Sequence, residues 1–294
     1  MSWKSENIPD LTGRIAVITG ATSGLGLSSA KALAAKGAHV IMTARNPAKG
    51  EAAVEQVRSM VPDASVEVRP LDTSSLESVK AFAATVSSPV DLLLNNAGIM
   101  AIPFSQSVDG YEMHIATNHL GHFALTAALF DSLKAAPAAR VVTVSSVAAK
   151  QKALSFDDIT TDAGYEKWSA YARSKLANLL FTYELDRRLR DVGSTISALA
   201  AHPGLSDTNL FPEDSGRAGG IVKKLAQSAD AGALPQLFAA TSPTARSGQY
   251  YGPSFAEFRG GPKLLKTPNV AVSVAAAQAL WTQSVDVTGL DFSF

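Results

Sequence analysis

The sequence predicts an α/β fold: a doubly wound parallel sheet in a single domain, with helices on both faces. Short apolar runs alternate along the chain with helical patterns, and this order favours right-handed crossovers and a parallel sheet covered on both sides. The first apolar run leads through a glycine-rich turn into a helical pattern, within residues 16–35 (AVITGATSGLGLSSAKALAA). The first strand–turn–helix unit is therefore expected to begin near residue 15.

The amino-terminal part repeats this unit. Four short runs rich in apolar residues have the length of buried strands, and they occupy 15–18, 39–43, 65–71 and 90–94. The helical patterns that follow the first three begin near Leu25, at Pro47, which suits a first helical turn, and after Ser74 or Ser75, either of which can cap a helix. The fourth strand ends at the polar turn 95–98.

The second part continues the alternation with longer helices. Helical patterns are expected at 111–118, 119–133, 167–190, 234–240 and 273–283, and strands at 140–144, 195–201 and 248–251. Residues 207–220 are rich in proline and glycine and are expected to form a loop. We find no internal repeat and no linker, so we expect one domain over 1–294, with a loop excursion at 206–220 that closes over a hydrophobic substrate.

The composition excludes several classes of protein. The chain has 294 residues and equal numbers of basic and acidic residues, 26 of each, so nothing in it favours nucleic acid or an anionic membrane surface. It has no cysteine, which excludes disulfides and thiolate chemistry. No apolar run is long enough to span a membrane, and a cytoplasmic protein is expected.

The glycine turn after the first strand suits a phosphate group. Gly20, Gly24 and Gly26 separate this strand from its helix, so backbone N–H groups and the positive helix end point at one place. The missing side chains allow a pyrophosphate to approach the backbone closely, as in Rossmann-like dinucleotide-binding folds. The alternative is that these are ordinary turn and packing glycines, because such a triplet alone is weak evidence.

Polar residues follow the predicted strands at the same edge of the sheet. They are the turn 19–26, Arg45, Asp72, the turn 95–98 and the pair Ser145–Ser146. In an open parallel sheet, ligands bind outside the carboxyl ends of the strands. The sequence therefore predicts a ligand site there.

Tyr171 and Lys175 lie four residues apart on the long predicted helix and so share one face. A nearby ammonium group is expected to lower the pKa of the phenol and make proton exchange with a substrate oxygen feasible. The serine pair can donate a hydrogen bond to the same oxygen. The alternative is a solvated helix face. No histidine cluster has the spacing of a metal site, and none is expected.

These motifs resemble those of the short-chain dehydrogenases/reductases. TGATSGLG (19–26) is similar to the family's glycine motif, NNAG (95–98) to its N-N-A-G motif, and YARSK (171–175) to its Y-x-x-x-K motif. Asn118 and the serine of VTVSSV are similar to the other members of the family's catalytic tetrad. HPGLSDT (202–208) resembles the segment beside the nicotinamide.

The resemblance implies roles for the tetrad. Tyr171 would be the general acid or base, and Ser146, preferred over Ser145, would orient the substrate oxygen. Lys175 would hold the nicotinamide ribose, and Asn118 would anchor a water in a proton relay. The implied cofactor-binding residues are Gly20, Thr22, Ser23, Gly24, Leu25, Gly26, Arg45, Asp72, Asn95, Ala97, Gly98, Tyr171, Lys175, Pro203, Gly204 and Thr208.

The end of the second strand bears on the choice of cofactor. An acidic residue at this place commonly binds the adenosine ribose and selects NAD, but HVIMT leads into Ala44, Arg45 and Asn46. A guanidinium group can grip a 2′-phosphate with two parallel bonds. We therefore expect NADP(H) in preference to NAD(H). The alternative is an exposed arginine that stacks on the adenine of either cofactor.

The 25-residue spacing between Ser146 and Tyr171, and the C-terminal AAAQALWTQSVDVTGL, are similar to the retinol-dehydrogenase-like branch of the family. The resemblance implies an oxidoreductase that interconverts an alcohol and a carbonyl on a small molecule. The chain lacks the membrane anchor of many animal members, so the substrate itself stays open, as does the oligomeric state. Two other hypotheses are a nucleotide-sensing binding protein on the same fold and a sugar-nucleotide epimerase-like enzyme.

Overall fold

The computed structural model describes residues 3–150, 164–205 and 226–294. Eight strands form one sheet in the order β3-β2-β1-β4-β5-β6-β7-β8. Their bounds are β1 Ile15–Ile18, β2 His39–Ala44, β3 Val66–Pro70, β4 Leu92–Asn95, β5 Arg140–Val144, β6 Ser197–Ala201, β7 Tyr250–Phe255 and β8 Arg259–Leu264. The order reverses beside β1, where β2 and β4 lie on either side of it, and such a switch point leaves a crevice for a ligand.

Neighbouring strands from β3 to β7 pair in parallel, as the alternation of strands and helices predicts. The last pair differs, because β7 and β8 form an antiparallel hairpin. Its turn contains Ala256 and Glu257, which have φ values of 47° and 61°. The strand β8 is not predicted from the sequence, since RGGPKL has two glycines and a proline and lacks the apolar pattern of a strand.

The helices lie on both faces of the sheet. Their bounds are α1 Gly24–Ala34, α2 Pro47–Met60, α3 Leu76–Ala84, α4 Met113–Ile115, α5 Gly121–Ala128, α6 Phe130–Ala135, α7 Lys167–Asp191, α8 Ala229–Thr241 and α9 Val274–Thr288. Alternate residues of β1 show how the sheet divides the core: Ala16 and Ile18 pack with α1, α2 and α8, whereas Val17 packs with α3, α5 and α7. This arrangement confirms the doubly wound fold.

Local sequence signals explain several helix boundaries. Asn46 caps α2 by accepting from Lys49 N, with Pro47 at the first helical position. Of the two predicted serine caps for α3, Ser75 is the one that accepts from a helix N–H group, that of Ser78. The helix predicted at 234–240 begins earlier, at Ala229, because Ser228 caps it and the helix tolerates Pro235 in its interior.

The largest difference from the predicted elements lies between β4 and β5. Instead of two regular helices, the chain forms the short α4, a π-helical turn at Ala116–Leu120, and then α5 and α6. A π turn widens the helix by one residue, and such turns occur frequently at functional sites. Across the described ranges, no helix combines the length and apolar character needed to cross a membrane.

Candidate active site

A cleft of about 230 Å³ opens at the carboxyl ends of β1, β2 and β4. Its lining residues are Gly20, Thr22, Ser23, Gly24, Leu25, Gly26, Thr43, Ala44, Arg45, Leu71, Thr73, Asn96, Ala97, Gly98, Ile99 and Thr117. All the predicted residues of the glycine turn therefore line one cavity, together with Arg45 and three residues of the NNAG motif. The cleft lies where the strand order reverses, the expected place for a nucleotide in this type of sheet.

The glycines of the first turn are needed by its geometry. Gly20 and Gly24 have φ values of 64° and 53°, a region that residues with a side chain rarely adopt. A Cβ on Gly26 would lie 2.4 Å from Gly20 O and 2.7 Å from Asn96 Nδ2. The bare backbone of this turn and the start of α1 thus form a cradle with room for a pyrophosphate and with the positive helix end beside it.

Arg45 lies at the far end of the cleft, just after β2. Its side chain is exposed, it lines the cavity, and within 3–150, 164–205 and 226–294 it forms no ion pair. Its neighbours in the lining, Thr43 and Ala44, carry no charge. Among the described residues nothing neutralises this guanidinium group, which makes it available to an anionic part of a ligand.

Thr19 holds the second loop of the cleft in place. Its Oγ1 accepts from Asn96 N and Ala97 N, each at 2.9 Å, and Asn96 Nδ2 donates to Thr19 O at 2.8 Å. Asn95 is fully buried instead and donates to Thr126 Oγ1 at 3.0 Å. The structure therefore places Asn96, not the predicted Asn95, on the cleft.

Asn118 lies in the π turn and is fully buried. Its Oδ1 accepts from Ile99 N at 2.8 Å, and its Nδ2 donates to Ile99 O at 3.0 Å and to Ser174 Oγ at 2.9 Å. The side chain thus fixes the loop after β4 against α7. Both amide hydrogens have acceptors, so any further contact of this side chain is made as an acceptor.

The two serines after β5 point to different places. Ser145 is buried and donates to Lys175 O at 2.7 Å, which ties its hydroxyl to the backbone of α7. Ser146 is half-buried, accepts from Ala148 N at 3.2 Å, and lies near enough to the phenol of Tyr171 to lower its pKa in part. This geometry supports Ser146 as the serine that faces a substrate.

Tyr171 and Lys175 project from the same face of α7, as their spacing predicts. Lys175 Nζ lies 5.9 Å from the centre of the Tyr171 ring and donates to Val144 O at 3.1 Å. A Cβ on Gly98 would lie 3.2 Å from the same Nζ atom, so the ammonium group adjoins the cleft. The structure thus brings Ser146, Tyr171, Lys175 and Asn118 together behind Gly98, beside the cavity, although none of the four is among its lining residues.

Burial shifts the pKa values of both titratable groups in this cluster. It lowers the pKa of Lys175 to about 8. It raises the pKa of Tyr171, and the adjacent Ser146 only partly offsets this effect. The net direction is thus opposite to the lowering expected from a nearby ammonium group, because burial disfavours the phenolate.

Other predicted residues lie outside the cleft lining or beyond the described ranges. Asp72 accepts from Ser74 N and Ser74 Oγ at 2.9 and 2.6 Å, and Pro203 and Gly204 follow β6. Gly204 packs on the β7–β8 turn, where a Cβ would lie 2.4 Å from Phe258 O. Thr208 and the loop 206–220 lie outside the described residues. The assignments of these residues and of Asn95 to a cofactor site stay predictions.

Sequence reasoning missed several lining residues. They are Thr43, Ala44, Leu71, Thr73, Asn96, Ile99 and Thr117. The first six lie within two residues of a predicted cofactor-binding residue or at the end of a predicted strand. Their position in the predicted strands could therefore have identified them. Thr117 precedes Asn118 in the π turn, and no sequence signal marks that turn.

The side of the cleft near Tyr171 carries apolar and aromatic groups. Tyr165 donates to Ile102 O at 2.7 Å and packs edge-on against Phe104, with ring centres 5.3 Å apart. Buried His114, which donates to the Glu112 carboxylate at 2.8 Å, packs between the rings of Tyr165 and Tyr171. In the described part of the chain, no group of three histidine, aspartate or glutamate residues could hold a metal ion.

Comparison with known proteins finds relatives along most of the chain. The family described as short chain dehydrogenase matches residues 14–217. Human retinol dehydrogenase 12 is 42% identical over 208 residues, which cover 70% of this chain and 65% of that protein. Human retinol dehydrogenase 13 is 35% identical over 295 residues, which cover 96% of this chain and 86% of that protein. The match thus spans less than two thirds of retinol dehydrogenase 12.

Solved structures share the fold. An uncharacterized protein from Mycobacterium paratuberculosis superposes with a TM-score of 0.86 and 42% identity, with all of both chains covered. A blue fluorescent protein from a metagenomic library, solved in complex with NADPH, has a TM-score of 0.65 and 25% identity over 82% of this chain and 96% of that one.

Proposed function

The chain belongs to the short-chain dehydrogenase/reductase family, on its retinol-dehydrogenase-like branch, and on that premise we propose its reaction. We infer that it is an NADP(H)-dependent enzyme that interconverts an alcohol and a carbonyl on a hydrophobic small molecule. The observation that carries the proposal is the Tyr171 phenol, which lies near Ser146 and 5.9 Å, ring centre to Nζ, from Lys175, beside the cleft.

The cleft fits a dinucleotide along its whole length. The bare glycine turn suits the pyrophosphate, because any Cβ on Gly26 would collide with Gly20 O. Arg45 suits a 2′-phosphate, and Lys175 suits the nicotinamide ribose at the opposite end. When bound, the nicotinamide would supply or accept the hydride. The NADPH-bound relative of this fold is consistent with this choice of cofactor.

The protein's own residues would handle the proton. Ser146 would donate a hydrogen bond to the substrate oxygen and hold it beside Tyr171. Because burial raises the pKa of Tyr171, its phenol is protonated at neutral pH and ready to donate to a carbonyl oxygen. Lys175 would stabilise the phenolate that remains, and Asn118, bonded through both amide hydrogens, would accept a hydrogen bond in the relay that returns the proton.

The surroundings of Tyr171 support an apolar substrate. Ile99 lines the cleft, and the Phe104–Tyr165 pair lies on the same side, next to Ile102. Contact with these apolar groups would favour an apolar molecule. Two of the relatives are named as retinol dehydrogenases, which is consistent with this class of substrate.

A substrate screen coupled to NADPH absorbance tests the proposal. Aliphatic, aromatic, terpenoid and steroid alcohols and aldehydes are offered to the wild type and to Tyr171→Phe. Loss of the exchangeable proton should lower turnover by about 10²- to 10⁴-fold, with cofactor affinity within twofold of wild type. Tyr183→Phe is the matched control, because Tyr183 lies twelve residues further along the same helix with a buried hydroxyl, away from the Tyr171–Lys175 pair. Wild-type turnover in Tyr171→Phe would refute the mechanism.

A further inference from the structure

His122 lies in the first turn of α5, one residue after Gly121, and is 1% exposed. It does not line the cleft, yet it joins two segments that do. Its Nδ1 lies 3.0 Å from Asn118 O in the π turn, and its Nε2 lies 2.9 Å from Thr19 Oγ1 at the end of β1. The helix that carries Asn118 is thus tied directly to the strand that begins the cofactor cradle.

The hydrogen-bond partners of His122 determine which ring nitrogen carries the proton. A carbonyl oxygen only accepts, so Nδ1 must carry the hydrogen and donate it to Asn118 O. Burial lowers the pKa of His122 to about 4, so the ring is neutral and Nε2 is an acceptor. The hydroxyl of Thr19 then donates to Nε2, in preference to Leu94 O, which is more distant at 3.3 Å. One tautomer therefore satisfies both ring nitrogens.

Thr19 extends the link to the loop after β4. Its Oγ1 lone pairs accept from Asn96 N and Ala97 N, and both residues line the cleft. At the other end, the Asn118 side chain bonds both backbone groups of Ile99, which also lines the cleft. His122 is thus the point at which the turn after β1, the loop after β4 and the π turn meet.

The start of α5 has no freedom to move away from this junction. A Cβ on Gly121 would lie 1.8 Å from Thr73 O, so the helix backbone packs directly on another loop of the cleft. Thr126 Oγ1 donates to His122 O and accepts from Asn95 Nδ2. These hydrogen bonds form one continuous buried network, so a displacement at one end is expected to affect the other.

We propose that His122 is a positioning residue that couples cofactor binding in the cleft to the geometry of the Asn118 turn. This inference rests on the proposed function, because it takes NADP(H) as the ligand of the cleft. It assigns a role to a residue that touches neither cofactor nor substrate. The link Thr19–His122–Asn118 fixes the position of the cofactor cradle relative to the catalytic residues.

NMR can determine the tautomer of His122 without a measurement of enzyme activity. We expect ¹⁵N-histidine NMR of the wild type at neutral pH to show a protonated Nδ1 and an unprotonated Nε2 for His122, assigned by its loss in His122→Asn. A ring protonated on Nε2, or on both nitrogens, would overturn the arrangement and the proposal with it.

Cofactor titration tests the coupling. In His122→Asn the shorter amide can still donate to Asn118 O but cannot reach Thr19, and we expect the Kd for NADPH to rise about 10-fold. Thr19→Ser keeps the hydroxyl and should bind NADPH within twofold of wild type. His119→Gln is the matched control, because His119 is equally buried in the π turn but bonds Ser284 of α9.

This titration distinguishes failure of the proposed function from failure of the inference about His122. If the wild type binds no NADPH, the proposed function and this inference both fail. If the wild type binds NADPH but His122→Asn raises the Kd no more than His119→Gln does, only the inference fails. A double-mutant cycle between Thr19→Val and His122→Asn should show that their effects on Kd are not additive. Additive effects would also reject the link.

Discussion

Lys175 and Tyr171 lie one helical turn apart on α7, with the Lys175 Nζ atom 5.9 Å from the centre of the Tyr171 ring. Both side chains are nearly inaccessible to solvent, and burial disfavours the charged form of each. It therefore moves their pKa values in opposite directions, down to about 8 for Lys175 and upward for Tyr171. Near neutral pH the site holds a protonated phenol beside an ammonium group.

The pKa of Lys175 predicts how cofactor binding depends on pH. Below pH 8 the side chain is an ammonium with three donors, and above it becomes a neutral amine that binds ribose oxygens less strongly. We expect the Kd for NADPH to rise as pH increases through about 8. Lys175→Gln should bind more weakly and show no such transition in titrations from pH 6.5 to 9.5. A transition that survives in this variant would assign it to another group.

Substitutions of the two serines after β5 should have different effects, one on catalysis and the other on stability. Ser146→Ala removes the donor that faces the substrate, and we expect turnover to fall by about 10²- to 10³-fold with little change in melting temperature. Ser145→Ala leaves Lys175 O without its hydrogen bond, which should cost about 0.5–1.5 kcal/mol of stability. Turnover and thermal unfolding of both variants are measured side by side. The reverse pattern would make Ser145 the substrate-facing serine.

Strand position accounts for what could be predicted from the sequence. The seven parallel strands, the glycine turn and the face shared by Tyr171 and Lys175 all follow from local periodicity and spacing, and the structure has them. The π turn at Ala116–Leu120 and the strand β8 have no such signature, because tertiary contacts decide both. Asn118 is held by Ile99 and Ser174, and β8 by its pairing with β7.

Side-chain directions and pKa values also depend on tertiary contacts and could not be predicted from local sequence. Nothing in the pair Asn95–Asn96 shows which of them faces the core, since one residue of strand register decides it. Likewise, spacing placed Lys175 beside Tyr171 but could not show how deeply both are buried. Desolvation depends on the whole fold, and here it raises the pKa of Tyr171.

Buried histidines predict acid sensitivity. Burial lowers the pKa of His119 to about 3 and the pKa values of His122 and His202 to about 4. Each folded pKa lies below the value of about 6.5 expected in the unfolded chain, so the unfolded state binds more protons. Their contribution to stability is therefore full above pH 6.5 and is lost as pH falls toward 4.

Thermal or urea unfolding from pH 7.5 to 4 measures this loss. Each histidine can add up to about 1.4 kcal/mol per pH unit to the slope of the unfolding free energy against pH. His119→Phe takes one of these groups away, so its slope between pH 6 and 4 should be shallower by up to that amount. Equal slopes in the variant and the wild type would show that His119 is not the source of the dependence.

Arg45 should decide between the two nicotinamide cofactors. It is exposed at the end of β2, lines the cleft and forms no ion pair with any residue that the structure describes, so its guanidinium group is free to bind a 2′-phosphate with two parallel bonds. Because hydrogen bonds to charged groups contribute about 1.5–3 kcal/mol, Arg45→Ala should weaken NADPH binding by about 10- to 150-fold. NADH lacks the phosphate, and its affinity should change far less.

Lys49→Ala controls for the general loss of one positive charge, since Lys49 lies in the first turn of α2 but outside the cleft lining. This variant should leave both affinities within about twofold. Titration of both cofactors against the three proteins settles the choice: equal losses for NADPH and NADH in Arg45→Ala, or a wild-type preference for NADH, would contradict the assignment of NADP(H).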